Sequence, residues 1–174
     1  NSRSGASAVT PYPWGAHYLP LPGPEAKEVR KLLKDVGSIE KLDRKGRPVY
    51  NERHLCHAPQ ERLFIHGRWQ EGIFPHTGAS GEDLAQLASF REEMDRCRKW
   101  RDGAGRRAFA IPRSAGSPGA FRDLDRFSMG QFLALRGWNS PRLRWYVEYA
   151  CRDDFGMGLE ETSAWAGVHY YAGR

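Results

Sequence analysis

The stretch PYPWGAHYLPLP, from Pro11 to Pro22, limits the folding of this chain more than any other segment. Its four prolines lack the backbone N–H that a helix interior requires, so no helix can run through it. Its three aromatic residues make it too apolar for an ordinary surface loop. We therefore predict an extended segment, and its Gly15-Ala16 pair raises the question of what the backbone approaches there.

The composition indicates a folded domain with a substantial core. Hydrophobic residues make up 40% of the 174 residues and aromatic residues 12%, which argues against disorder. The length suits one compact domain or a large piece of a bigger protein. Because the sequence begins Asn-Ser-Arg without an initiator methionine, we expect a fragment or a processed product. No apolar run reaches the roughly 20 residues that span a bilayer.

The charge balance allows two interpretations. The chain carries 27 Lys and Arg against 21 Asp and Glu, a net charge of +6, and most of the excess is arginine. An arginine-rich surface suits an anionic partner such as nucleic acid, a nucleotide cofactor or an acidic substrate. We favour a solvated surface of mixed charge, because acidic residues interleave with the basic ones almost everywhere.

The cysteines do not form a disulfide pattern. They are Cys56, Cys97 and Cys151, an odd number at wide spacing. We expect free, buried thiols at these positions.

Five segments carry the spacing and end signals of helices. They cover 24–37, 80–103, 128–137, 140–152 and 159–172. Ser80 with Asp83, and Ser128 with Gln131, predict capping boxes at two of the starts. An apolar stripe on the longest helix marks its buried face: Leu84, Leu87, Phe90, Met94 and Cys97.

The segment 38–76 is typical of short strands joined by polar turns. The strands are expected in RPVYN, in RHLCH and in RLFIHGRWQEGIFP, where His66-Gly67-Arg68 forms a hairpin tip. The arms of that hairpin are expected at Leu63–Ile65 and Ile73–Phe74. The fold class predicted from this pattern is α+β, with a small antiparallel sheet flanked by several helices.

A glycine-rich stretch, Gly103 to Ala108, matches a dinucleotide-binding fingerprint in letters only. That motif requires a strand before it and a helix after it. Here a helix precedes it and a strand-like segment follows, so we interpret it as a helix stop. The segment 108–121 is expected to be a strand remnant and then a flexible connector rich in Ser, Gly and Pro.

The histidines suggest a metal site only weakly. His54, Cys56 and His57 lie close in sequence, with His66 nearby. Nothing in the sequence completes a tetrahedral ligand set, so no metal is predicted.

Two other groups have a structural interpretation that we favour. The acidic pairs Asp153-Asp154 and Glu160-Glu161 suit acid–base chemistry, but adjacent acids at a helix start more often complement its dipole. Trp165 fits core packing in an aromatic helix that also holds His169, Tyr170 and Tyr171. A half-buried His169 requires a partner or a role.

Three segments resemble the FAD-dependent amine oxidase and phytoene desaturase superfamily. The first, NSRSGASAVTPYPWGAHYLP, resembles the part that follows the Gly-Gly of the second flavin-contact motif. The tail from Asp125 to Arg174 is similar to bacterial NAD(P)/FAD-dependent oxidoreductases, and GRWQEGIFP fits the same group. The N-terminal nucleotide-binding unit of that superfamily is absent from this sequence.

The resemblance implies an FAD site and a division of the chain. Residues 1–23 would contact the flavin, and 24–174 would form the substrate or cap domain. The implied cofactor-binding residues are Asn1, Ser2, Arg3, Ser4, Trp14, Gly15, Ala16 and His17. Tyr18, Trp165 and His169 are the expected substrate-binding residues. Without the nucleotide-binding unit, the chain alone should hold FAD poorly.

The leading functional hypothesis is therefore that this chain is part of an FAD-dependent oxidoreductase of the amine oxidase type. Its partners would be a small-molecule substrate and the remainder of the parent flavoprotein, and hydride would pass from the substrate to FAD. No catalytic base is predicted. The alternative is a standalone basic module that binds nucleic acid, and we favour nucleic acid less as a partner. Its support is arginine interleaved with tryptophan: Arg136, Trp138, Arg142, Arg144 and Trp145.

Overall fold

The computed structural model describes residues 4–13, 19–56 and 61–173. The chain divides into two compact units, Asn1–Pro59 and Gln60–Arg174. Helices and short antiparallel strand pairs occur together in the chain, so the predicted α+β class is confirmed. The strands form separate two-stranded pairs rather than one sheet. The functional boundary expected after residue 23 stays a prediction. Within the described ranges, every helix is too short or too polar to cross a bilayer.

The first unit is built from two strand pairs and one helix. Strand β1 (Ser4–Gly5) pairs with β2 (Tyr12–Pro13), and β3 (Ile39–Leu42) pairs with β4 (Pro48–Tyr50). Helix α1 (Lys27–Asp35) precedes β3 and has no buried residue. It ends as predicted, because Gly37 takes the left-handed conformation that glycine adopts without strain (φ 74°).

The prediction of a strand in RHLCH is wrong. Residues Glu52–His54 form a 3-10 turn instead. The Asn51 side chain accepts a hydrogen bond from the backbone N–H of Arg53 at 3.0 Å. An asparagine that caps its own following turn competes with strand pairing, and this explains the difference.

A tight hairpin opens the second unit. Strand β5 (Arg62–Ile65) pairs with β6 (Arg68–Glu71) through the two-residue turn His66-Gly67. Both turn residues have positive φ, 51° and 74°, as a type I′ turn requires. The predicted tip is therefore confirmed at His66 and Gly67, whereas Arg68 belongs to β6. The second arm lies earlier than predicted, because a two-residue turn places Arg68 directly opposite Ile65.

Four α-helices follow in the described part of the second unit, and the first three begin where the sequence signals predict. They are α2 (Gly81–Lys99), α3 (Met129–Leu135), α4 (Pro141–Phe155) and α5 (Ala164–Ala172). Both predicted capping boxes are present, at Ser80 and at Ser128. These caps satisfy backbone N–H groups that the first turn of a helix leaves unpaired.

Helix α5 begins later than predicted. The segment expected to be its first turn bonds to α3 instead. The carbonyls of Leu159 and Thr162 accept from the backbone N–H groups of Gly130 and Met129, at 2.9 and 2.7 Å. A backbone carbonyl used in this way does not continue a helical ladder, so α5 starts after Ser163.

The core lies between these helices. Leu87, Phe90, Met94 and Cys97 are buried as predicted, whereas Leu84 of the same stripe is 43% exposed. Helices α3 and α5 approach closely at Gly167. A Cβ atom added there would lie 2.6 Å from the sulfur of Met129, so only glycine fits without a shift. This packing fixes the N-terminal half of α5, which carries Trp165.

Candidate functional site

A cavity of about 720 Å³ lies in the second unit, beside the first turn of α5. We call it the Trp165 cavity. The walls consist of Trp165 and of residues between Ala108 and Asp125, and they include Arg113, Ser114, Ala120 and Arg122. The cavity therefore combines one large aromatic ring with charged and small polar groups.

The loop that forms most of the wall is anchored to the core. Phe109 is 1% exposed, and the backbone N–H of Ser117 donates to the carbonyl of Arg107 at 2.8 Å. Gly116 lies against this backbone. A Cβ atom there would be 3.1 Å from the carbonyl oxygen of Arg113, so a larger residue would require the loop backbone to shift by a few tenths of an ångström. These contacts give the wall a defined position relative to α5.

Hydrogen bonds at both ends of the residue orient Trp165. Its backbone N–H donates to the Oγ of Ser163 at 3.1 Å, as in a helix cap. Its indole Nε1–H donates to the carbonyl of Ala120 at 3.3 Å. The ring also packs against Phe109, with centroids 5.4 Å apart. Trp165 is thus half-buried and held at the cavity wall, which fits both the core interpretation and the expected binding role.

His169 supports Trp165 but is not among the residues that line the cavity. The imidazole stacks on the indole, with centroids 5.1 Å apart and planes at 22°. Its Nε2 lies 3.1 Å from the carbonyl oxygen of Ala110. Because a carbonyl only accepts, Nε2 carries the hydrogen in this bond. The partner that a half-buried histidine requires is therefore a backbone carbonyl, and the substrate-binding role of His169 stays a prediction.

Two arginines face the cavity. The guanidinium carbon of Arg113 lies 5.1 Å from the centroid of the Trp165 ring, a cation–π contact. Arg122 lines the same cavity. Within the described ranges neither guanidinium has an ion pair. Asp125 is the carboxylate in the wall, and it accepts from the Ser163 hydroxyl at 2.5 Å. The arrangement suits a ligand with an anionic group and an apolar part.

The glycine-rich stretch before this loop forms a turn. Asp102 accepts from the backbone N–H groups of Ala104 and Arg106, both at 2.9 Å, and from the Nε–H of Arg106 at 2.8 Å. The backbone of Arg106 and the hydroxyl of Ser117 contribute most to lowering the pKa of Asp102 to about 2. The interpretation of this stretch as a helix stop is confirmed, since α2 ends before it and no described helix begins in it.

Most of the predicted flavin contacts lie outside the described residues. These are Asn1, Ser2, Arg3, Trp14, Gly15, Ala16 and His17, and the predicted substrate residue Tyr18 lies outside them as well. Ser4 is described. It is exposed, and it pairs with Pro13 across the β1–β2 ladder. Tyr12–Pro13 is therefore extended as predicted, and the cofactor-binding role of Ser4 stays a prediction.

No group of three metal-ligating side chains occurs in the part of the chain that the structure describes. Nδ1 of His54 lies 2.9 Å from the Ser38 hydroxyl. His57 lies outside the described residues, and His66 sits at the exposed hairpin tip. The geometry of the described histidines in this group is thus that of surface side chains.

The cysteines are free thiols with different surroundings. Cys97 and Cys151 are buried, as predicted, whereas Cys56 is exposed and the prediction for it is wrong. Burial raises the pKa of Cys97 to about 11 and also raises the pKa of Cys151. A thiol with a raised pKa stays protonated at neutral pH, so neither buried cysteine is an activated nucleophile.

The acidic pair before α5 stabilises local structure. Glu160 accepts from Arg144 at 3.0 Å. Glu161 accepts from the backbone N–H of Gly158 at 3.1 Å. The expectation that the acidic pairs complement the dipole at a helix start is wrong, because the first turn of α5 contains no acidic residue and Asp153-Asp154 lies in the last turn of α4.

The basic and aromatic residues behind the nucleic-acid alternative mostly bond within the second unit. Trp138 is buried, and Arg136 lies 2.6 Å from the carboxylate of Glu93. Arg142 donates to the carbonyls of Pro75 and Gly78, at 2.7 and 3.0 Å, and Arg144 pairs with Glu160. Trp145 is 42% exposed. Arginines already engaged in this way have fewer donors available for phosphate groups.

Sequence patterns do not single out Arg113 or Arg122. The strand remnant predicted within 108–121 does not form, and the described residues there make a loop with a 3-10 turn at Arg113–Ala115. The available signal is an arginine directly followed by small residues, Arg113-Ser114-Ala115-Gly116. Such a composition lets backbone and guanidinium share a ligand.

No family model, curated protein or solved structure matches this chain. A function can therefore be inferred only from the residues of the Trp165 cavity and from the resemblance of three segments to the amine oxidase superfamily.

Proposed function

We propose that this chain is part of an FAD-dependent oxidoreductase of the amine oxidase type, and that residues 24–174 contribute the substrate side of its flavin site. The supporting observation is the position of Trp165. The resemblance implies a substrate-binding role for this residue, and it lines a cavity of about 720 Å³. Small-molecule sites fall in the range of about 300–1,000 Å³.

FAD, when bound, accepts a hydride from the substrate carbon. The residues of this chain would bind and orient the substrate. Trp165 offers a rigid apolar wall, because hydrogen bonds fix both its backbone and its indole. Arg113 and Arg122 offer positive charge at the same wall. A substrate held between these groups loses water from one face, which strengthens its electrostatic contacts.

The residues that would hold the flavin are the members of 1–4 and 14–17 that the resemblance implies. Small side chains in this segment, Ser4 among them, would let the backbone approach a phosphate or the flavin ring.

The decisive experiment is to purify the full product of the gene that encodes this chain. We expect the visible absorbance of oxidised flavin and release of FAD on denaturation. A folded, colourless full-length product would overturn the proposal. The variant Trp165→Ala should keep its flavin and raise the KM for the substrate, because Trp165 is assigned to the substrate side. Loss of flavin in that variant, with the fold intact, would contradict this assignment.

The nucleic-acid alternative makes a different prediction. Binding to a single-stranded oligonucleotide should weaken with salt, with a log–log slope that counts the phosphate contacts. We expect a negligible slope, because three arginines of that cluster are already bonded within the second unit: Arg136, Arg142 and Arg144. A steep slope would favour the alternative over the flavoprotein proposal.

A further inference from the structure

Six arginines of the second unit form ion pairs at 3.3 Å or less with carboxylates of the same unit: Arg96, Arg98, Arg106, Arg136, Arg144 and Arg152. The two arginines of the Trp165 cavity do not belong to this group. Arg113 and Arg122 have no ion pair among the described residues, yet both line one cavity. Two guanidinium groups without a counter-ion at one wall create a local positive potential.

The loop between these arginines adds small groups. Ser114 follows Arg113 directly, and Gly116 and Gly119 line the same wall. Residues without bulky side chains let an anionic group come close to the backbone and to the guanidinium donors. Arginine binds carboxylate and phosphate oxygens through two parallel N–H donors, a geometry that lysine lacks.

The described wall of the cavity also carries negative charge, at Asp125. Asp125 is the carboxylate in the described wall, and the Ser163 hydroxyl already donates to it at 2.5 Å. Trp165 lies against Arg113. A ligand that places its anionic group on the arginines would therefore bring its apolar part toward the indole.

We propose that the Trp165 cavity binds an organic anion, in which a carboxylate or a phosphate group is joined to an apolar ring or chain. Arg113 and Arg122 hold the anionic group, and Trp165 contacts the apolar part. The identification of this ligand as the substrate rests on the proposed function. The binding chemistry itself follows from the residues of the cavity.

The test uses the whole chain and three probes that share a phenyl ring. They are phenylacetate, phenyl phosphate and the neutral 2-phenylacetamide. Binding is followed by titration calorimetry and by the NMR signal of the Trp165 indole N–H, assigned from its absence in Trp165→Phe. We expect at least one anionic probe to bind about tenfold or more tightly than the amide and to shift that signal, since charge-assisted bonds exceed neutral ones. The tighter anion identifies carboxylate or phosphate as the natural group.

Matched arginine variants test which side chains bind the anionic group of the probe. Arg113→Gln and Arg122→Gln should each weaken the preferred anion by about tenfold or more, the loss expected for one charge-assisted hydrogen bond. Arg126→Gln removes the same charge from a neighbouring exposed residue that does not line this cavity, and it should bind as the wild type does. Dispersed indole signals verify that each variant is folded.

Two results would overturn the inference. One is equal binding of the amide and the anions, or no binding by any probe. The other is unchanged affinity in both Arg113→Gln and Arg122→Gln. Its failure is separable from failure of the proposed function. A colourless full-length product with tight anion binding rejects only the flavin proposal, and an FAD-containing product without anion preference rejects only this one.

Discussion

Two turns of this chain form the same hydrogen bonds. Both have the pattern Asp-x-x-Gly-Arg, and they lie at 43–47 in the first unit and at 102–106 in the second. In each, one aspartate oxygen accepts from two backbone N–H groups, at 2.8 Å in the first turn and 2.9 Å in the second. The other oxygen accepts from the arginine Nε–H at 2.8 Å in both. The glycines have φ of 73° and 78°. The three shared residues, Asp, Gly and Arg, thus specify one five-residue turn in two different settings.

The surroundings of the two turns differ. The first joins β3 to β4 and is followed by half-buried Val49. The second is flanked by a single bridge, Arg101 to Arg107, and leads into buried Phe109. The aspartate bonds therefore define each turn locally. The residues after the turn decide whether it positions a strand or the wall of a cavity.

The two turns should differ most in the stability lost when the buried or half-buried residue that follows each turn is replaced by alanine. Phe109→Ala should destabilise the second unit by about 3–5 kcal/mol, because it leaves a cavity in the core. Val49→Ala should cost only about 1 kcal/mol, since Val49 is half-buried. Urea denaturation, followed by tryptophan fluorescence and circular dichroism, measures both. Similar costs for the two variants would contradict the view that only the second turn leads into a core.

The turn glycines should respond alike in both units. Gly46→Ala and Gly105→Ala should each cost about 1–2 kcal/mol, because an L-residue is strained at positive φ. A Cβ atom at either position meets nothing within 4 Å, so the cost is conformational and not steric. Gly103→Ala is the control in the same turn, because Gly103 lacks a positive φ and is equally open. An equal loss in the control would mean that the backbone conformation is not the cause.

Local signals predict local structure well in this chain. The Ser80 and Ser128 capping boxes, the Gly37 helix end and the His66-Gly67 tip all depend on neighbouring residues, and the structure agrees with each. The late start of α5 instead involves partners distant in sequence. It depends on bonds from α3 to the carbonyls of Leu159 and Thr162, which no pattern within 159–172 reveals.

The candidate site is predictable only in part for the same reason. The sequence singles out Trp165, and the structure places it at a cavity wall. Arg113 and Arg122 precede it by more than 40 residues and meet it only through the folding of the loop 108–125 onto α5. Their spacing carries no period, so a sequence pattern does not bring them together.

The pH dependence of the free energy of unfolding should distinguish Asp43 and Asp102 from carboxylates with an ordinary pKa. Hydrogen bonds lower the pKa of both, and that of Asp102 falls to about 2 from an ordinary value of 3.8. A depressed folded-state pKa adds stability that is present above the ordinary pKa and is lost as pH falls through the folded one. The stability gap between wild type and Asp102→Asn should therefore be constant above about pH 4 and shrink toward pH 2. Denaturation at several pH values measures it, and a gap that persists at pH 2 would contradict the assignment.

The smallest expected effect concerns a contact to Asp102 from the cavity loop, at Ser117. The Ser117 hydroxyl bonds to Asp102 and helps to lower its pKa, whereas no such loop residue lowers the pKa of Asp43. Ser117→Ala should therefore raise the pKa of Asp102 and leave that of Asp43 unchanged, with little loss of stability, because the backbone bonds of the turn remain. Carboxyl NMR titration of both aspartates in one sample provides the internal control. If the pKa of Asp102 does not move, the Ser117 hydroxyl does not lower it, and Ser117 does not connect the cavity loop to the turn at 102–106.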